Sequence, residues 1–169
     1  MYAITLLGLL VTTGISTPLK YAVPSSLKAT ASNCIYPANF TVSSFTIYTD
    51  RVDSSKNTTS FSFADADTGI NAFCTQNSTS KATGANSNQY PCDDPNVTFI
   101  YQTTGVAGLT LVELACPGTV PQYEASGLVT PDLACTNSTT ASTCAAKQST
   151  ITGDFDSLEP VPHPPPSSR

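Results

Sequence analysis

Six cysteines, at positions 34, 74, 92, 116, 135 and 144, are set among short runs of alternating apolar and polar residues, and this combination narrows what the chain can become. Alternation with period two is the mark of strands with one buried face. Phe61 and Phe63 alternate in this way, as do Ile70, Ala72 and Cys74, and then Val97, Phe99 and Tyr101. Between the last two runs, residues 75–91 are mostly Ser, Thr, Asn, Gln, Gly and Ala, which cannot supply a core and read as loop. An even cysteine set in an oxidising compartment makes three disulfides the default, with the pairing open on sequence alone. Proximity favours Cys74 with Cys92 and Cys135 with Cys144, each pair flanking a polar turn, which leaves Cys34 with Cys116. On the chain-entropy account the short loops would contribute roughly 3 kcal/mol each and the long one about 4.5 kcal/mol. Metal binding is the competing reading. The cysteines lack the close paired spacing of metal sites and the single histidine, His163, lies in a proline-rich tail, so neither a metal nor another cofactor is expected.

The chain opens Met-Tyr-Ala-Ile-Thr-Leu-Leu-Gly-Leu-Leu-Val, too short to span a bilayer but suited to the apolar core of a signal peptide. Gly14 and Ser16 are small residues at the spacing of a cleavage site, so residues 1–16 read as a signal peptide, although the first basic side chain is Lys20. An N-terminal apolar strand is disfavoured, because nothing polar alternates through residues 6–11. The expectation is a secreted, extracellular protein without a membrane anchor. Five N-glycosylation sequons fit that route, at Asn39, Asn57, Asn77, Asn96 and Asn137. Of these, Asn57, Asn77 and Asn137 fall in predicted loops, while Asn39 and Asn96 open strands. Charged residues make up only 11% and the net charge is -5, which excludes a basic nucleic-acid face and a polybasic lipid anchor.

Residues 17–33 read as a flexible arm and 34–157 as one disulfide-bonded β domain, of a size that can bury a core. In the strand over residues 39–49, Phe40 and Val42 share one parity, and Phe45 and Ile47 the other; such a shift predicts a β-bulge. Residues 50–58 form a turn. Residues 108–114 are apolar on both faces, which suits a doubly covered strand. Further strands are expected at 123–129, 132–136 and 148–155, with at most one helical turn at 141–147. Residues 158–169 read as a proline-rich disordered tail. The fold class is all-β: a single compact antiparallel barrel or sandwich with three disulfides.

Candidate chemistry is sparse. Asp67-Thr68-Gly69 has the form of an aspartic-protease loop, but there is one copy, and a turn between Phe63 and Ile70 accounts for it. Asp65, Asp67 and Gly69 also have the look of a calcium loop, yet Gln76 stands where its closing acid belongs. Asp93 and Asp94 read as turn formers before Pro95. A serine hydrolase needs a histidine base, and the β domain has none. Glu113 and Glu124, the glutamates within predicted strands, could form a glycosidase pair; solvent-facing strand positions are the simpler account, and there is no Trp to stack sugars. No catalytic residue is expected.

The early cysteine before Phe-Thr-Val-Ser-Ser-Phe-Thr-Ile-Tyr, then Ser60-Phe-Ser-Phe-Ala-Asp, Phe73-Cys74, Tyr90-Pro-Cys92 leading into Val97-Thr-Phe, and Leu109-Thr-Leu-Val resemble the Alternaria major allergen family of small secreted fungal proteins. The resemblance covers roughly residues 34–155 and implies an antiparallel β-barrel with Cys74 bridged to Cys92 and Cys135 to Cys144. Where the family's type member uses an early cysteine to link two chains, Cys116 offers Cys34 a partner within this chain. A monomer or a non-covalent dimer is therefore expected. What the resemblance implies for function is a non-enzymatic, allergen- or effector-like protein that binds host extracellular defence proteins or small phenolic ligands. A carbohydrate-binding or wall-associated module is the alternative, and it would display a row of tyrosines such as Tyr48, Tyr101 and Tyr123.

Overall fold

The computed structural model describes residues 18–30, 34–83 and 88–161. The expected signal peptide and most of the expected tail lie outside the described residues. A short helix, α1 (Ser25–Thr30), precedes eleven strands: β1 (Asn39–Asp50), β2 (Thr58–Asp65), β3 (Ile70–Gln76), β4 (Tyr90–Pro91), β5 (Val97–Gln102), β6 (Gly108–Ala115), β7 (Tyr123–Val129), β8 (Leu133–Asn137), β9 (Ala141–Ala146), β10 (Thr150–Asp154) and β11 (Ser157–Pro160). They form two antiparallel sheets. One has the order β3-β2-β1-β9-β8 with β10 also on β1, the other β11-β7-β6-β5-β4. The sheets pack face to face and do not close into the barrel that the family resemblance implied.

Strand β1 organises the first sheet. Its buried residues are Phe40 and Val42, then Phe45, because the register against β2 shifts between Ser43 and Thr46. Ser44 sits at the shift with φ 55, in the left-handed region that some β-bulges use at one residue. One edge of β1 pairs with β2; the other pairs first with β10 over Asn39 to Ser43 and then with β9 over Thr46 to Asp50. The bulge stands where the second edge passes from one partner to the next.

The core between the sheets is aromatic. Phe40 lies 4.9 Å from Phe155, and Phe61 meets Phe99 edge-on at 4.9 Å, so rings from both sheets interlock. Leu109, Leu111 and Ala125 complete it from the second sheet. Strand β6 is buried on both faces, as the apolar residues at both of its parities predict. The arm is structured where it is described: Leu27 of α1 is buried against Ala115, Cys116 and Tyr123, closing one end of the sandwich, and the Tyr21 hydroxyl donates to the Pro37 carbonyl.

Two disulfides tie the layers to each other and a third lies within one sheet. Cys34–Cys116 ties the approach to β1 to the end of β6, Cys74–Cys92 links the edge strand β3 to the segment after β4, and Cys135–Cys144 staples β8 to β9. Beside the second of these, Asp93 closes the β3 edge. Its N–H donates to the Phe73 carbonyl at 3.0 Å, and its Oδ1 accepts from the Phe73 N–H at 2.7 Å, a role beyond the turn former expected.

Three expectations are corrected. Residues 141–146 are a strand, not a helical turn: β9 is held between β1 and β8, and that pairing overrides the helix preference of its alanines. The expected disordered tail begins too early, since Leu158, Glu159 and Pro160 pair with β7 in β11. The arm contains a helix rather than irregular chain throughout.

A Cβ at Gly153 would run into the Phe40 ring and Val129 Cγ1. Gly153→Ala is therefore expected to cost roughly 1–3 kcal/mol and to lower the thermal midpoint by several degrees, read by circular dichroism of the disulfide-intact protein.

Candidate functional site

Asp65 ends β2, and the turn to β3 is built on it. Its Oδ1 accepts from the N–H groups of Asp67 at 2.7 Å and Thr68 at 3.1 Å, and its carbonyl accepts from the Gly69 N–H at 3.0 Å. Gly69 has φ +76, which explains the glycine. The Asp-Thr-Gly triplet is thus a turn.

Glu113 departs from expectation. In β6 it stands opposite Val97 of β5 and Ala125 of β7, at the same parity as Leu109 and Leu111, so it points inward and is 0% exposed. Neither carboxyl oxygen has a hydrogen-bond partner of ordinary geometry; the same is true of Asp65 Oδ2, Asp67 Oδ2, the Thr68 hydroxyl and the Tyr36 hydroxyl. The Glu113 carboxyl is pushed up to about 8, by burial first and then by the negative charge of Asp65; Asp94 adds to this and the Thr68 hydroxyl opposes it. Burial also raises Asp65, against the pull of the Thr68 and Asp67 N–H groups. The Tyr21 phenol is raised by burial and then by the charges of Glu113 and Asp65. These side chains form one electrostatic unit.

Glu124 does not join it. It lies opposite Leu114 and Glu159, one position out of step with Glu113, and neighbouring positions on a strand face opposite sides of the sheet. The glycosidase pairing is therefore excluded by register. For Glu113 the solvent-facing reading is also wrong. The clue was present, because a glutamate in a strand apolar on both faces and in phase with Leu109 and Leu111 has to point inward.

Beside Glu113 lies a cavity of about 480 Å³. Ile35, Ile70, Leu114 and Pro117 contribute apolar wall, Thr68 and Asn96 polar groups, and the Cys34–Cys116 disulfide one side. A second hollow of about 340 Å³ lies around Tyr48, Asn57, Thr58 and Asn77 and has no carboxylate in its wall. The expected tyrosine row is absent: Tyr123 is buried, Tyr101 is half-buried with its ring 5.3 Å from that of Phe45, and Tyr48 lies on the other sheet with its hydroxyl bonded to Asp50. Among the described residues no group of three or more His, Cys, Asp or Glu side chains is arranged to hold a metal.

The sequons fall at varied positions. Asn57 is half-buried, with Oδ1 accepting from the Asp50 N–H at 2.8 Å, and Asn77 Oδ1 accepts from the Thr79 N–H at 2.9 Å. Asn39 opens β1 and Asn96 directly precedes β5. Asn137 was expected in a loop but ends β8, exposed, with Arg51 donating to its Oδ1.

These features define a disulfide-stapled β-sandwich with an acidic pair at the margin of its core. No protein-family model and no curated protein matches the sequence. Among solved structures, the chain is similar to the crystal structure of the Alternaria alternata allergen Alt a 1, with TM-score 0.52 and 14% identity over 75% of this chain and 91% of that one. A further crystal structure of Alternaria alternata major allergen Alt a 1 aligns with TM-score 0.48 and 15% identity over 75% of this chain and 96% of that one. The chain has the Alt a 1-like fold.

Glu113 binds a proton in the folded state up to about pH 8, whereas in the unfolded chain it loses it near 4.3. Its contribution to stability is therefore greatest below about pH 4 and declines as pH rises toward 8, by at most about 1.4 kcal/mol per pH unit. Glu113→Gln is expected to match the parent's thermal midpoint at pH 4 and exceed it at pH 8. Parallel pH profiles for the two proteins would contradict this assignment.

Proposed function

We propose that the protein is a secreted, non-catalytic, allergen-like binding protein that holds a small organic ligand in the cavity beside Glu113. The observation that carries the reading is the cavity itself: about 480 Å³, within the size range of small-ligand sites, with apolar walls and a few converging polar groups. The Cys34–Cys116 bond and the β6 backbone fix its sides, so little order would have to be gained on binding. Three disulfides suit an oxidising exterior. Among the described residues there is no free cysteine and no histidine, which leaves the usual nucleophile–base pairs unformed. Small phenols are the first class to test, with host extracellular defence proteins as macromolecular partners at the outer surface.

A wall-associated carbohydrate module is the weaker reading, because the aromatic row that sugar stacking calls for is not formed. Nitrogen-15 NMR with a panel of simple phenols should give saturable shifts confined to amides near Ile35, Thr68, Ile70 and Asn96, with the phenols recovered unchanged. Shifts centred instead on the hollow by Tyr48, together with retention on insoluble glycan, would replace this reading with the carbohydrate one.

A further inference from the structure

Among the described residues the buried acids have no positively charged partner. The three ion pairs among the described residues are Lys20–Asp154, Lys56–Asp53 and Lys147–Asp132, all on the surface, and Arg51 is bonded to Ser138 and Asn137. No lysine or arginine is among the groups acting on Glu113. Burying a carboxyl without a partner costs free energy that an apolar residue at the same position would not incur. Asp65 has a structural reason to be where it is, through its turn; Glu113 has none. Glu113 and Thr68 nonetheless both contribute to the cavity wall; with Asp65 they are near enough to act on one another's titration, yet none of the contacts between their side chains has the geometry of a full hydrogen bond.

We propose that the cavity takes a small organic cation, a primary amine with an apolar or aromatic body, whose ammonium group sits among Glu113, Asp65 and Thr68 while its body lies against Ile35, Ile70 and Pro117. The proposal rests on the ligand-binding reading of the cavity above and names the ligand's chemical class. An ammonium has three donors and no acceptor, which suits a set of unpartnered oxygens. A bare metal ion fits less well: the described acids do not group into a metal site, and much of the wall is aliphatic. The net charge of -5 favours approach of a cation.

Binding exchanges one positive charge for another. The ammonium enters, the proton held by Glu113 leaves to buffer, and the N–H donors replace the lost O–H. The groups facing Glu113 are Asp65 and Thr68 on the β2–β3 turn and Asp94 before β5; Tyr21 of the arm, itself coupled to Tyr36, completes the set. None of these supplies a cation, so affinity for the amine should rise from pH 5 to pH 8.

The test is titration calorimetry of the intact protein at pH 6 with 2-phenylethylamine, its neutral analogue 2-phenylethanol and the acid 3-phenylpropionate, each in two buffers of different ionisation enthalpy. The amine is expected to bind at least tenfold more tightly than the alcohol, to release a proton, and to exclude the acid. Glu113→Gln, with its fold checked by thermal denaturation, should weaken the amine at least tenfold and abolish proton release, whereas Glu124→Gln on the opposite face should change neither. Equal or tighter binding of the alcohol, or unchanged amine affinity in Glu113→Gln, would overturn the choice of an amine while leaving a small-ligand site intact. Failure of all three probes and of the phenol panel would overturn the ligand-binding reading as well.

Discussion

The structure depends on one strand serving three neighbours. β1 must pair with β2 along one edge and with β10 and then β9 along the other, while keeping Phe40, Val42 and Phe45 in the core. A regular strand cannot do this. Inserting Ser44 in the left-handed region turns the chain enough for the second edge to change partner, and moves the buried face from even to odd positions without exposing an aromatic ring. Phe45, the first buried residue after the shift, packs its ring 5.8 Å from that of Phe61 and 5.3 Å from that of Tyr101.

The covalent ties between the two sheets lie at their margins. Cys74–Cys92 and the Asp93 contacts to Phe73 close one side, while Cys34–Cys116 and Leu27 of the arm close an end. That arrangement leaves the interior aromatic in the middle and mixed toward the end where Glu113 lies. The cavity sits at this boundary, beside a disulfide on one side and the β2–β3 turn on the other. A site placed there inherits rigid walls from crosslinks that the fold needs in any case.

Much of the architecture was legible in the sequence because it follows from period-two alternation. The parity change between Val42 and Phe45 marked the bulge, and the apolar run from Leu109 to Leu114 marked a doubly covered strand. What was not legible depended on partners distant in the chain. Ala141 to Ala146 has no large apolar side chains to mark a strand by alternation and becomes one only through its neighbours, and Leu158 to Pro160 looks like a tail until β7 offers it an edge. The site was half legible. Asp65 reads in sequence as part of a calcium-like loop and Glu113 as a solvent-facing strand glutamate; that the two face one another across the sandwich is a fact of sheet packing, which periodicity within single strands does not contain.

Fold and chemistry separate most sharply at these two acids. Asp65 would be selected by the turn alone, since its carboxylate accepts two backbone N–H groups that would otherwise lack partners. The fold asks for nothing comparable at Glu113. Its neighbours in register are Val97 and Ala125, and a leucine or valine there would satisfy the same packing without desolvating an acid. A residue that the fold does not require, held at a cost and lining a cavity, is best explained by what the cavity admits. The likeness to the Alternaria allergen, at 14% identity, bears on the scaffold alone. What the cavity beside Glu113 can admit is set by this chain's own side chains, not by that likeness.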